Sequence, residues 1–222
     1  FREQALKYKQ YYCPEYGTLR PLQKDGSFLE PFNPRQGENF EPVPGFHEGS
    51  AWNYTFYVPH DIMGLAKLMG GRKAFVSKLQ KVFDEGLYDP ANEPDIAYAY
   101  LFSYFKGEEW RTQKTVHELL EKYYTTRPNG LPGNDDTGTM SAWAIFSMMG
   151  FYPDCPGKAE YTLTTPRFDS IEIRLAPEYC EGETKLVIKC SRTSGEGWKK
   201  IRSVKLSGKT LPSLRVSHKD LV

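Results

Sequence analysis

The chain has 222 residues, 39% hydrophobic and 26% charged, with 29 Lys and Arg against 28 Asp and Glu and a formal net charge of +1. So even a balance excludes nucleic acid as an expected partner, because phosphate binding needs a basic excess. No apolar run reaches the roughly 18 to 20 residues that cross a bilayer, so no membrane span is expected, while the length is ample for a buried core. Aromatic residues make up 14%, which suits either the packing volume of a helical core or a set of sugar-binding platforms. Cys13, Cys155, Cys180 and Cys190 show no CxxC spacing, which argues against zinc. Cys180 and Cys190 read equally as a cross-strand disulfide or as two free thiols.

In chain order, residues 1–12 have helical spacing and resemble the interior of a helix, so the chain reads as a piece of a longer polypeptide. Cys13-Pro14 ends that helix, and a stretch rich in Pro, Gly and Asn runs to Gly45 as an ordered loop or lid. Helical patterns follow over residues 53–69, interrupted at Pro59, then 73–84, 96–105, 109–125 and 139–149, with connections short enough for antiparallel neighbours. Apolar residues on more than one face of 96–102 and 140–149 predict that these two helices are largely buried. After Gly150-Phe151-Tyr152-Pro153 the texture changes to strand-like runs at 161–164, 170–175, 185–190 and 201–206, with a hairpin turn at Ser207-Gly208-Lys209. The expected fold class is α+β, a series of antiparallel helices over residues 1–157 followed by a small antiparallel β segment over 158–222.

Three polar clusters interrupt the apolar helices. Glu48, in Phe46-His47-Glu48-Gly49-Ser50-Ala51-Trp52-Asn53-Tyr54, precedes a helix beside two aromatic residues. Aromatic neighbours strip water from a carboxyl group, which raises its pKa and suits it to proton donation; helix capping is the plainer alternative. Asn92-Glu93-Pro94-Asp95 reads either as a helix start or as an oxygen-rich turn for a hard cation. Gly133-Asn134-Asp135-Asp136-Thr137-Gly138 sets two acids at the start of an apolar helix, whose dipole keeps an aspartate ionised. Such a carboxylate serves as a general base or as a cap. An acid with raised pKa and another held ionised together match the division of labour in glycoside hydrolysis, where an inverting enzyme holds them about 6.5–9.5 Å apart. His47 and His60 are candidates for substrate contact, whereas His117 and His218 read as surface residues.

Taken in order, these segments resemble the catalytic module of the family-92 glycoside hydrolases, the calcium-dependent exo-acting α-mannosidases. The resemblance runs from Pro31-Phe32-Asn33-Pro34 through Glu48-Gly49-Ser50-Ala51-Trp52-Asn53-Tyr54-Thr55, Val58-Pro59-His60-Asp61 and Asn92-Glu93-Pro94. It continues through Trp110-Arg111-Thr112-Gln113, Gly133-Asn134-Asp135-Asp136 and Met140-Ser141-Ala142-Trp143 to Cys155-Pro156-Gly157. It implies that residues 1–157 form the helical portion of an (α/α)6 catalytic domain. It implies an inverting hydrolysis that releases mannose from mannose-containing glycans, with Glu48 as general acid and Asp136, or secondly Asp135, as base. Trp52, His47, His60 and Asn134 are then expected to contact substrate, and Asn92 and Glu93 to bind or adjoin calcium. Some relatives carry a third acid where this chain has Asn134, which leaves that position's share in the base role open. Many α-1,2-cleaving relatives carry a histidine pair where this chain has Asp95-Ile96-Ala97-Tyr98, so no linkage carries over. The family's N-terminal β-sandwich domain is the expected partner in completing the cleft, with little activity expected of this chain alone. Export to a bacterial periplasm or cell surface is a further implication. A non-catalytic carbohydrate-binding or scaffold module is the alternative reading.

Overall fold

A computed structural model of the chain describes residues 1–38, 41–178, 185–192 and 200–221. It is α+β, with most helices before residue 150 and most of the small antiparallel sheets after it. The residues form two compact units, Phe1–Tyr98 and Ala99–Val222.

The first unit opens with two one-turn helices, α1 (Arg2–Ala5) and α2 (Tyr8–Tyr11), where the sequence pattern predicts one continuous helix. Neither buries a residue, so no apolar face holds a longer helix together. The chain instead turns into a two-stranded hairpin, β1 (Tyr12–Cys13) with β2 (Thr18–Leu19). The backbone N–H of Leu19 donates to Thr55 Oγ1 at 2.9 Å, which fastens the hairpin to α3 (Ala51–Thr55). In the loop, Arg20 is 3% exposed, and its guanidinium lies 4.9–5.5 Å from the rings of Tyr16, Phe28 and Phe32 while donating twice to the Leu29 carbonyl. A buried cation is tolerated there because aromatic faces, a carbonyl and Glu30 together replace its hydration. Pro59 separates α3 from α4 (Ile62–Leu68), as its missing N–H requires. Gly70 and Gly71, both left-handed, turn the chain into α5 (Arg72–Asp84). Phe56 meets Phe75 and Tyr98 edge-on at 5.2 and 5.4 Å, above Leu65, Leu79 and Val82, to make this unit's core.

The residues expected to form a buried α-helix over 96–105 are buried, but over Tyr98–Tyr104 they wind as a 3-10 helix. In the second unit α6 (Glu109–Tyr123) and α7 (Thr139–Met149) follow. Left-handed glycines, Gly138 and Gly150, bound α7 at both ends. Its burial is less complete than its composition suggests: Met140, Trp143, Ala144 and Ser147 are buried, whereas Ile145 is 53% exposed. Aromatic stacking fills this core, with Tyr100 on Tyr152 at 4.6 Å and Tyr124 on Trp143 at 5.3 Å. The three-stranded sheet has the order β3 (Phe151–Tyr152), β4 (Glu160–Leu163), β9 (Arg215–Ser217), all antiparallel. Two separate hairpins complete the unit: β5 (Ser170–Arg174) with β6 (Lys185–Lys189), and β7 (Lys205–Leu206) with β8 (Lys209–Thr210). The last turns at Ser207 and Gly208, both left-handed, as expected, but only two residues of the predicted 201–206 strand are paired. A final turn of helix, α8, spans His218–Leu221. Cys13 and Cys155 are buried thiols and Cys190 is a half-buried one; Cys180, and with it the cross-strand pairing considered above, lies outside the described residues.

The sheet is locked from beneath by one buried carboxylate. Asp154 accepts two bonds from Arg215 Nη2 at 3.1 and 3.0 Å and one from Thr162 Oγ1 at 2.5 Å, so it joins β4 to β9. Arg215 in turn stacks on Tyr104 at 4.2 Å. Breaking a buried ion pair from one side strands the other charge. Asp154→Ala is expected to lower unfolding stability by roughly 3 kcal/mol in urea titrations at neutral pH.

Candidate active site

The predicted acid and base segments belong to different units and are described separately. In the first unit, Ser50 caps α3: its extended backbone lets Oγ accept from the Trp52 N–H at 3.3 Å. Asn53, three residues on, closes the capping box by accepting from both Ser50 N and Ser50 Oγ at 2.8 Å. The amide nitrogen of Asn53 then donates to Asp95 Oδ2 at 2.7 Å, and that oxygen also accepts from the Asp89 N–H at 2.7 Å. Asp95 is fully buried and its Oδ1 has no partner among the described residues. Burial drives its carboxyl well above the usual carboxylate range, against the pull of the two hydrogen bonds.

This buried network ends at Glu48. Asn92, 5% exposed, donates from Nδ2 to the Glu48 carbonyl at 2.6 Å, and the Tyr54 hydroxyl donates to the His47 carbonyl. Glu48 itself is left-handed, with φ of +52°. That conformation costs a non-glycine residue about 1–3 kcal/mol, and two external hydrogen bonds of about 0.5–1.5 kcal/mol each offset it. The peptide groups on both sides of Glu48 are therefore pinned while its side chain is 62% exposed, with a long contact of 3.7 Å to the exposed His47. The sequence pattern expected a dehydrated carboxyl here, whereas its side chain stands mostly in solvent. Trp52 is 5% exposed and carries the Lys78 and Lys81 ammonium groups over its ring at 5.5 and 5.2 Å. His60 is also otherwise engaged, with Nε2 on the Ala5 carbonyl at 2.7 Å and its ring edge-on to Tyr8.

In the second unit, Asp136, Thr137 and Gly138 are three consecutive left-handed residues, at φ of +38°, +63° and +86°. Asp tolerates this conformation and β-branched Thr resists it, so the turn stores strain. It is held by Thr139, whose N–H donates to the Asp135 carbonyl at 2.8 Å and whose Oγ1 donates to the Asp136 carbonyl at 2.7 Å. The two acids differ sharply. Asp135 accepts from Ser141 Oγ at 2.6 Å and Ser141 N at 2.9 Å, so both its oxygens are used. Those bonds, the hydroxyl first, hold its carboxyl below the usual carboxylate range, where the sequence pattern invoked the helix dipole alone. Asp136 is exposed, and among the described residues nothing bonds its carboxylate. Asn134 is exposed beside them.

The Asn92-Glu93 turn offers oxygen donors of the right kind for calcium: the Asn92 Oδ1 and the exposed Glu93 carboxylate take no hydrogen bond among the described residues. The described residues contain no group of three or more His, Cys, Asp or Glu able to hold a metal ion. Calcium takes about 6–8 oxygens, so these residues fit one edge of a site.

Sequence reasoning passed over Ser141, Tyr54 and Asn53 as functional side chains, and it weighed Asp95 only as part of an oxygen-rich turn or helix start. The Ser50–Asn53 spacing alone signals the capping box; the Asp95 and Tyr54 contacts have no local signature. Ser141→Ala is expected to return the Asp135 carboxyl toward the ordinary range, read by carbon NMR titration of its carboxylate. Because the folded value lies below the unfolded one, the Ser141 contact stabilises the fold above the ordinary carboxylate range, and this contribution is lost as pH falls through the depressed value.

A family model described as the glycosyl hydrolase family 92 catalytic domain matches residues 1–222. The chain is 34% identical over 128 residues to a protein of Arthroderma benhamiae described as an uncharacterized secreted glycosidase, covering 58% of this chain and 16% of that protein. Its fold matches a family GH92 α-mannosidase from Bacteroides thetaiotaomicron in complex with mannoimidazole, at TM-score 0.86 and 27% identity over 98% of this chain and 30% of that one. It also matches a family GH92 inverting mannosidase from the same organism, at TM-score 0.84 and 28% identity over 99% of this chain and 31% of that one. The chain thus spans less than a third of the length of these relatives.

Proposed function

The chain belongs to glycosyl hydrolase family 92, and on that premise we propose that the polypeptide it forms part of is an inverting α-mannosidase that releases mannose from mannose-containing glycans. The observation that carries this reading is a shared design in the two acidic turns. Glu48 and Asp136 are each left-handed, each with a backbone pinned by hydrogen bonds, and each with a carboxyl group that takes no hydrogen bond among the described residues. Backbone strain of this kind clusters at functional sites, and a helix cap does not need it. The likeness to two solved mannosidases, one of them inverting, supports the same reaction.

In this mechanism the Glu48 carboxyl gives its proton to the glycosidic oxygen as the bond from that oxygen to C1 breaks. Asp136 takes a proton from the water that attacks C1 on the opposite face, and β-mannose leaves. Asp135, tied to Ser141, fixes the turn that presents Asp136. Calcium, when bound, would supply a positive charge to sugar hydroxyls, and Glu93 with Asn92 Oδ1 are the residues of this chain that would hold it. His47 and Asn134, both exposed, are the predicted substrate contacts that stay open to solvent here. An N-terminal domain of the kind expected from the sequence completes the cleft in this proposal. Export is part of it too, supported by the secreted description of the Arthroderma relative; no described helix is long and apolar enough to cross a membrane.

The test uses the full-length polypeptide on α-1,2-, α-1,3- and α-1,6-mannobiose, which also identifies the linkage. Glu48→Gln and Asp136→Asn are each expected to lower kcat/KM by about 10²–10⁴. Proton NMR is expected to show β-mannose first; α-mannose first, or full activity in both variants, sinks the proposal. For the metal, calorimetric calcium titration of the same protein is expected to show binding weakened at least about tenfold by Glu93→Gln. Unchanged affinity removes Glu93 from the site.

A further inference from the structure

The Glu48 turn is restrained from more directions than a helix start requires. The Tyr54 hydroxyl holds the carbonyl before Glu48, and Asn92 Nδ2 holds the carbonyl after it at 2.6 Å. A side chain on Gly49 would come within 2.9 Å of Asn92 Nδ2 and 3.2 Å of Asn53 Cβ. On the other side, Gly37 packs so closely on the Gly49 carbonyl that a Cβ there would lie 2.4 Å from it. Each holding group is itself set from within the unit. Tyr54 lies on α3 with its ring 5.4 Å from Phe46, and Asn92 leads into the turn that Asp95 anchors on Asn53. None of these bonds reaches the Glu48 carboxyl; all of them act on its backbone.

We propose that Tyr54 and Asn92 form a peptide clamp that aims the Glu48 carboxyl, and that both are positioning residues of the reaction. The proposal rests on Glu48 being the proton donor. A flexible residue at φ of +52° would relax to the ordinary region once either carbonyl is released, and its side chain would swing away. Misplacing a reacting group by about 1 Å costs on the order of a hundredfold in rate.

Proton donation matters most when the leaving group is poor, and this separates aiming from folding. In the full-length polypeptide, Tyr54→Phe, which leaves the proposed calcium ligands untouched, is expected to lower kcat/KM on mannobiose by about 10- to 100-fold. On a dinitrophenyl α-mannoside, whose leaving group needs no proton, the change is expected to stay within about threefold. Gly49→Ala, which presses on Asn92, is expected to show the same split. Equal losses on both substrates, or no loss on either, overturn the clamp. Glu48→Gln is the reference. If it shows the split and the clamp variants do not, the clamp alone fails; if it shows none, the acid assignment fails and the clamp with it. Tyr54→Phe removes one hydroxyl from a half-buried ring, so it keeps the test decisive even where Gly49→Ala prevents folding.

Discussion

The hydrogen bond between Asn53 and buried Asp95 is the constraint on which the first unit's chemistry depends. Asn53 has one amide to serve two masters: its oxygen closes the capping box on Ser50, and its nitrogen must then face Asp95. No apolar or charged residue meets both demands, and leaving either unmet strands a buried polar group at about 1–3 kcal/mol. Because Asp95 also takes the Asp89 N–H, the same carboxyl group fixes the loop before it and the helix start opposite it. The turn that presents Glu48 is built on that platform through Asn92.

Both acidic turns divide the work between backbone and side chain. In the first, carbonyls are held by donors distant in sequence, Tyr54 and Asn92. In the second, Thr139 and Ser141 do the holding from the helix that follows. Of the four left-handed residues other than glycine among those described, Glu48, Asp136 and Thr137 fall in these turns, and Ser207 in a hairpin. Among the described residues, strain outside glycine is thus concentrated in the two acidic turns.

The second unit handles its buried charge in another way. Asp154 has every oxygen occupied by Arg215 or Thr162, and it is deep beneath the sheet. Asp135 is likewise fully engaged, though nearer the surface. Asp136 differs from both in that nothing among the described residues bonds its carboxylate. The contrast is between acids spent on shaping the structure and one left open to solvent.

Much of this was legible in the residues. Gly and Pro punctuation placed α5, α6 and α7 within two residues, since caps and breakers act locally, and the polar clusters around Glu48 and Asp136 stood out against apolar helices. The order of those clusters carried the family. Local pattern misjudged the 3-10 helix after residue 97, where packing outweighs propensity, and the broken first helix, where no buried face supports a longer one. Within the fold Trp52 seats two lysines and His60 ties to Ala5, contacts that no local pattern announces. The partners of Glu48 and Asp95 lie up to 44 residues away, and no periodicity encodes a contact across that distance. What the sequence determined by itself was therefore which acids exist and where helices begin. Which acid is free, which is spent on the fold and what holds each turn were decided by the tertiary structure, because hydrogen-bond satisfaction depends on neighbours in space.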